Sequence, residues 1–318
     1  MHKVLLNRAR IELDLKPRGG FLVKDGDKGR TMVRPHLPDL QAMRTGHGNG
    51  DETVFIPGSS LKGVFRSSFE RQLRTLGGTD HGLLACDPLE QRRNLCHVNR
   101  RDESSPETHA RLCLACRTFG SQQSGGRIRF ADALPDQDHR AQANKTEQRS
   151  GVSIDRRSGG PARGKLFEME VVTRGRFRTA IQLENYQLWQ LGLIATLIAD
   201  LAAGELRVGS ATTRGLGALD VVVPRVVLWQ RRGESPAGVS QLGAAPEYQW
   251  LVEQVLPAGV CEHATPAARR GGTQWTFEQP AVPALLDSLE TTAWSALEEN
   301  ERESWAALAL RRGALSNA

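Results

Sequence analysis

No stretch of the chain reaches the roughly eighteen apolar residues that a membrane span needs; the nearest, Ile194–Ala203, is far too short. No secretory leader opens it, because Met1-His2-Lys3 runs into a short amphipathic segment rather than an apolar core. Five cysteines, an odd number without such a leader, argue against a disulfide framework. The G-x-x-x-x-G-K-[ST] spacing of a Walker loop is missing. The glycine-rich Arg207–Gly217 follows a helical pattern instead of opening one, so it fails as a dinucleotide fingerprint. No internal repeat is visible, and no Ser-His-Asp or Cys-His set can be argued from residue order. These absences predict a cytoplasmic protein with no membrane partner.

What is present is a mildly basic chain of 318 residues with net charge +6 and ordinary hydrophobic content, 39%, enough for one or two domains. The basic excess lies between Arg140 and Arg178, a weak pointer toward nucleic acid. Val4–Leu15 alternates as a strand, and residues 21–53 read as a long irregular segment of the kind that carries function. Val54-Phe55-Ile56 then stops at Pro57-Gly58. Ser59 and Ser60 offer capping hydroxyls, and Leu61, Phe65, Phe69 and Leu73 form one helical face to about Leu76. Residues 79–118 are a polar, cysteine-bearing insertion. Gly125–Asp132 holds a short strand, and residues 135–165, taken alone, read as an extended or disordered basic loop. Phe167–Thr173 and Phe177–Leu183 alternate around Arg174-Gly175-Arg176, which predicts a hairpin. Tyr186–Ala203 predicts a helix with Asn185 as N-cap and Gly204 as stop, followed by the glycine loop and a strand over Ala218–Val223. Beyond Pro224 the pattern gives one more strand at Val226–Gln230, a linker over Gly233–Pro246, and helices at Glu247–Leu256 and Ala284–Leu310. The order of elements predicts an α+β protein with a ferredoxin-like, RNA-recognition-motif-like core.

Three constellations carry chemistry. Cys113-Leu114-Ala115-Cys116 is a C-x-x-C with Cys86 and Cys96 upstream, and four thiolates can close a structural zinc site that staples a segment lacking its own core. His97 or His109 could replace one sulfur, and a redox C-x-x-C is the rival. Cys261 stands apart and reads as a small buried residue. The start of the Ser59 helix gathers free backbone N–H groups, two hydroxyls, Lys62 and Arg66, which suits an anion, and on a basic protein a phosphate. Gly209, Ser210, Arg214 and Gly215 supply a second phosphate-friendly loop. Acidic candidates lie in the long segment: Asp39, with Asp25 and Asp27 as rivals and His36 and His47 nearby.

Ile56-Pro57-Gly58-Ser59-Ser60-Leu61-Lys62-Gly63 followed by Val64-Phe65-Arg66-Ser67 resembles the signature of the RAMP superfamily, specifically the backbone subunits of type III CRISPR effector complexes. Phe119-Gly120 and the G-R-x-x-F-x-D-A run from Gly126 to Ala133 extend the likeness to roughly residues 4–225. The resemblance implies a core over 1–225, with a zinc-binding insertion at 79–118 and a thumb loop at 135–166. The remainder, 226–318, is then a partly helical extension. It implies that both phosphate-friendly loops hold a guide CRISPR RNA, and that the thumb wedges between guide and complementary target RNA. Ile154 is the expected wedge, with Arg149, Arg156, Arg157 and Arg163 on phosphates. Asp39 corresponds to the aspartate that target-cleaving members need, acting with Mg or Mn by 2′-OH attack on the adjacent phosphate. Copies or paralogues of the chain and other effector subunits are the expected partners, and the insertion and long loop look most like the III-D branch. A non-catalytic scaffold of the same fold is the first alternative. A stand-alone repeat-RNA processing ribonuclease, using His36 or His47, is the second.

Overall fold

The computed structural model describes residues 4–26, 38–46, 51–76, 84–86, 96, 108–109, 112–231, 256 and 258–299. Its centre is strand β1 (Asn7–Pro17), where Ala9, Ile11, Leu13 and Leu15 alternate into the core. The short strands β2 (Arg44–Gly46) and β3 (Glu52–Val54) pair with each other and lead into helix α1 (Gly58–Leu76). Helix α2 (Leu114–Phe119), strands β4 (Ile128–Phe130) and β5 (Leu134–Pro135), and the single turn α3 (Arg140–Ala143) follow. Strands β6 (Glu147–Ile154) and β7 (Pro161–Val171) make a two-stranded ribbon. Strand β8 (Phe177–Glu184), helix α4 (Leu188–Ala203) and strand β9 (Leu219–Gln230) complete the core. Strands β10 (Thr265–Arg269) and β11 (Gly272–Glu278) and helix α5 (Ala281–Glu299) come last.

The main sheet runs β10-β11-β9-β1-β8-β4, antiparallel throughout, with β5 also against β8. Within it β9-β1-β8-β4, linked through α1 and α4, is the ferredoxin-like arrangement predicted from the element order. Leu61, Phe65, Phe69 and Leu73 of α1 are fully or almost fully buried, so the helical face read from spacing is the face that packs.

Several local expectations are corrected. β7 and β8 do not form a hairpin: β7 pairs with β6, and β8 with β1, β4 and β5. Alternation identifies strands without naming partners. Here Phe177, Ile181 and Leu183 of β8 are fully buried in the main sheet, whereas Leu166 of β7 is exposed. The basic segment 135–165 is ordered into β5, α3 and β6 rather than a loop. Ser59 and Ser60 lie inside the first turn of α1, which begins at Gly58. The cap of α4 is Gln187, whose amide donates to Gln190 Oε1 at 3.0 Å. Asn185 instead adopts φ 52° and brackets the chain start, accepting from Leu6 N at 2.8 Å and donating to Val4 O at 2.8 Å.

The expected boundary near residue 225 falls inside β9. β10, β11 and α5 extend the same sheet and core, with Phe277, Val282, Leu285, Leu289 and Ala293 buried. A Cβ on Gly192 of α4 would stand 2.2 Å from Leu289 O, so only glycine lets α5 approach this closely. The helix expected at Glu247–Leu256 lies outside the described residues, apart from Leu256.

Candidate nucleic-acid interface and metal centre

The signature turn is built by close approach. A Cβ on Gly58 would stand 2.3 Å from Phe130 O, so α1 can start against the end of β4 only at a glycine. Asp132, from the G-R-x-x-F-x-D-A run, accepts from Gly58 N at 2.7 Å and thereby uses one amide of the helix start. Ser59 is exposed and Ser60 half-buried beside it. Lys62 is half-buried, and burial together with Arg66 lowers its ammonium below the usual lysine range. Arg66 is placed differently from its expected role on phosphate. Its guanidinium donates to Glu70 at 2.7 Å, to Gly120 O at 3.1 Å and to Cys116 Sγ at 3.8 Å.

The glycine loop docks on the segment after β1: Ser210 N donates to Leu22 O at 2.7 Å and Gly217 N to Gly20 O at 2.9 Å. Arg214 is exposed at its tip, and its guanidinium lies 5.4 Å from the Phe167 ring centroid, a cation–π contact that joins this loop to β7. Gly215 is exposed next to it. The β6–β7 ribbon presents Val152 (47% exposed), Ile154 (59%) and Leu166 (68%), with Val152 paired directly opposite Leu166. Apolar side chains this exposed are the unusual feature of the ribbon. Its tip is closed by Asp155, whose Oδ1 accepts from Arg157 N at 2.9 Å and Ser158 N at 2.8 Å. Arg156 and Arg157 are exposed there. Arg149 donates to Gly19 O and Glu147 at 3.2 Å. Arg163 belongs to β7, but its side chain lies outside the described residues.

Asp39 is exposed, and its Oδ2 accepts from Glu168 N at 3.0 Å. Next to it Leu40 N donates to Glu168 O at 3.0 Å, and Glu170 N donates to Leu40 O at 2.8 Å. The Asp39 segment is thus a third strand-like edge on β7, two residues along from the exposed Leu166. Asp25 comes to the other side of this segment, its amide donating to Gln41 O at 3.0 Å. Asp27, His36 and His47 lie outside the described residues.

Glu170 fixes the segment from beneath. The residue is 8% exposed, and its carboxylate accepts from Ala42 N at 2.9 Å, from both Arg44 Nη atoms and from Thr146 Oγ1 at 2.8 Å. Burial alone would raise its pKa, but the Arg44, Ala42 and Thr146 hydrogen bonds outweigh it and hold the group below the usual carboxylate range. Sequence reasoning missed this pair. Arg44 reads as one more loop arginine and Glu170 as an outward residue of an alternating strand.

Cys86, Cys96, Cys113 and Cys116 are all buried, with their sulfurs within 4.8 Å of one another. Cys86 Sγ is 3.5 Å from Cys113 Sγ and 3.6 Å from Cys116 Sγ. A tetrahedron with Zn–S bonds of about 2.3 Å has edges of about 3.8 Å, whereas a disulfide would bring two sulfurs to about 2.05 Å. The spacing fits an ion. Backbone amides already point at the sulfurs: Cys113 N donates to Cys96 Sγ at 3.1 Å and Cys116 N to Cys113 Sγ at 3.4 Å. Hydrogen bonding shared among the four side chains holds the Cys113 thiol well below its usual range and pushes Cys86 and Cys116 up. His109 is not among the ligands, because its Nε2 meets Arg127 Nη2 at 2.8 Å, and His97 lies outside the described residues. Cys113 does start a helix, as a redox cysteine would, but its sulfur is shared and buried. Cys261 is half-buried in the turn Ala258–His263 rather than buried. Among the described residues this quartet is the only group of three or more His, Cys, Asp or Glu placed to share one ion.

A family model described as the RAMP superfamily matches residues 40–220, more than half of the chain. The chain belongs to the RAMP superfamily. No curated protein matches it. Residues 40–220 of this RAMP chain include the signature helix, the cysteine site, the β6–β7 ribbon and the glycine loop, while Asp39 falls just before the matched span. Membership places the chain among CRISPR-associated RNA-binding proteins. Among its described residues no helix is long and apolar enough to cross a membrane. Arg127, the arginine of the G-R-x-x-F-x-D-A run, is buried, donates to Asn185 O at 2.9 Å and meets His109, so its work is structural.

Proposed function

We propose that this RAMP protein is a guide-RNA-binding backbone subunit of a type III CRISPR interference complex, of the III-D-like branch, and that it cuts guide-complementary target RNA at regular intervals. The supporting observation is that Asp39 and the exposed apolar ribbon form one hydrogen-bonded unit through Glu168 and Glu170. The exposed Val152–Leu166 pair and a carboxylate anchored two residues along β7 would then act on neighbouring positions of one RNA strand, with Ile154 further out toward the ribbon tip. Copies or paralogues stacked on one guide would repeat that arrangement at a fixed spacing.

In the reaction, the displaced base leaves its ribose free to bring O2′ in line with the neighbouring phosphorus. Asp39 Oδ2 is held by the Glu168 amide, and the other carboxylate oxygen accepts the 2′-OH proton as O2′ attacks. The P–O5′ bond breaks, the 5′ oxygen takes a proton from water, and the products are a 2′,3′-cyclic phosphate and a 5′-hydroxyl. Ser59, Ser60, Lys62 and the Ser210–Gly215 loop hold guide phosphates, so sequence is read by pairing and not by the protein. A structural zinc on the four cysteines holds the insertion. A scaffold without cleavage is the second reading. It is favoured by Asp39 belonging to no group of three or more ligating side chains among the described residues.

Guide binding is tested by titrating labelled guide-length RNA at several salt concentrations. Lys62→Gln removes one phosphate contact, so the slope of log affinity against log salt should fall by about 0.7. An unchanged slope and affinity would remove Lys62 from the interface.

A further inference from the structure

Arg66, Glu70 and Arg74 stand one turn apart on the edge of α1, a spacing at which side chains meet. Arg66 Nε donates to Glu70 Oε1 at 2.7 Å, and Arg74 lies 3.7 Å from Glu70 Oε2. The two arginines then reach off the helix to the cysteine site. Arg66 Nη2 meets Cys116 Sγ at 3.8 Å, Arg66 Nη1 holds Gly120 O at 3.1 Å, and Arg74 Nη1 holds Cys86 O at 2.7 Å. Phe69 and Phe119 pack edge-to-face behind them, with centroids 5.2 Å apart. The signature helix therefore grips one metal-ligating sulfur directly and a second ligand residue through its carbonyl.

Four thiolates around a dication carry a net charge of −2, and a buried charge of that kind needs a fixed counter-charge. A guanidinium is always protonated and has donors in a rigid fork. Glu70 takes Nε and Gly120 takes Nη1, which leaves Nη2 on the sulfur. We propose that Arg66 is the outer-shell cation of the metal centre, and that through it metal occupancy governs the order of helix α1. Arg66 is then a positioning residue and not a phosphate ligand. A further consequence, which rests on the reading of Ser59–Lys62 as the guide site, is that metal loss weakens guide binding from a distance.

The test uses the full chain without RNA. Zinc affinity is measured by competition with a chromophoric chelator, and the site is read by the sulfur-to-cobalt charge-transfer band after Co(II) loading. Arg66→Gln should weaken zinc binding about 10–100-fold and shift the band, as loss of an outer-shell partner does. Arg66→Lys, which keeps the charge and loses the fork, should recover part of the affinity. Hydrogen exchange on the wild-type chain needs no variant: removing zinc should lower protection across Gly58–Leu76 at least tenfold while β1 amides stay protected.

Unchanged zinc affinity and cobalt spectrum in Arg66→Gln would overturn the proposal. So would α1 protection that ignores the metal, or a uniform loss that includes β1. Because every readout is taken without RNA, failure of the guide-binding reading leaves these results standing.

Discussion

Replacing Glu170 by Gln should loosen the Asp39 segment from β7 and destabilise the whole protein. The carboxylate accepts from Ala42, Arg44 and Thr146, and Gln offers one acceptor oxygen and an NH2 group that would face the Arg44 fork. Breaking a fully buried ion pair costs about 3–5 kcal/mol. Arg44 keeps 24% of its side chain exposed, which reduces the expected loss to about 2–3 kcal/mol. Unfolding entropy is about 2.1 cal/mol/K per residue, or about 0.7 kcal/mol/K for 318 residues, so Tm should fall by about 3–5 °C. The effect depends on pH. The folded pKa of Glu170 is depressed, so its stabilisation is complete above the unfolded carboxyl pKa and is lost as pH falls through the folded value. The Tm gap between wild type and E170Q should therefore be full at pH 7 and close as pH drops below about 4. Calorimetry across that range reads both signs. Equal Tm values at pH 7, or a gap that persists unchanged into acid, would refute the clamp.

Two further outcomes follow from packing and ligation. Gly192→Ala should push α5 off α4, because its Cβ has only 2.2 Å to Leu289 O, at a cost of about 1–3 kcal/mol seen as a lowered denaturation midpoint. Cys113→Ser should abolish stoichiometric zinc in elemental analysis and expose the insertion to limited proteolysis, since bound metal supplies folding energy that the segment cannot obtain from its own core. Zinc retained in that variant would remove Cys113 from the ligand set.

The parts of this molecule legible in the sequence are those that local pattern fixes. Leu61, Phe65, Phe69 and Leu73 recur at helical spacing and bury together, and the β-α-β-β-α-β order names the core. The four cysteines were identifiable because thiolates have few other reasons to gather in a polar insertion. Partner choice was not legible. Nothing in the alternation of Phe167–Thr173 says that it pairs with β6 instead of β8, because pairing is decided by which face finds a core. Arg66 shows the same limit at a site: spacing puts it beside Lys62 and the serines, but its rotamer carries the charge to Cys116. The Arg44–Glu170 pair joins residues more than a hundred positions apart. Only the docking of the Asp39 segment on β7 reveals it.

The most direct measurement is cleavage of labelled, guide-complementary RNA by the reconstituted complex, comparing the native chain with Asp39→Asn. Regularly spaced products ending in 2′,3′-cyclic phosphate are expected from the native chain and none from the variant, with guide binding retained. Undiminished cutting by Asp39→Asn would contradict this and move the chemistry to Asp25, Asp27 or another subunit.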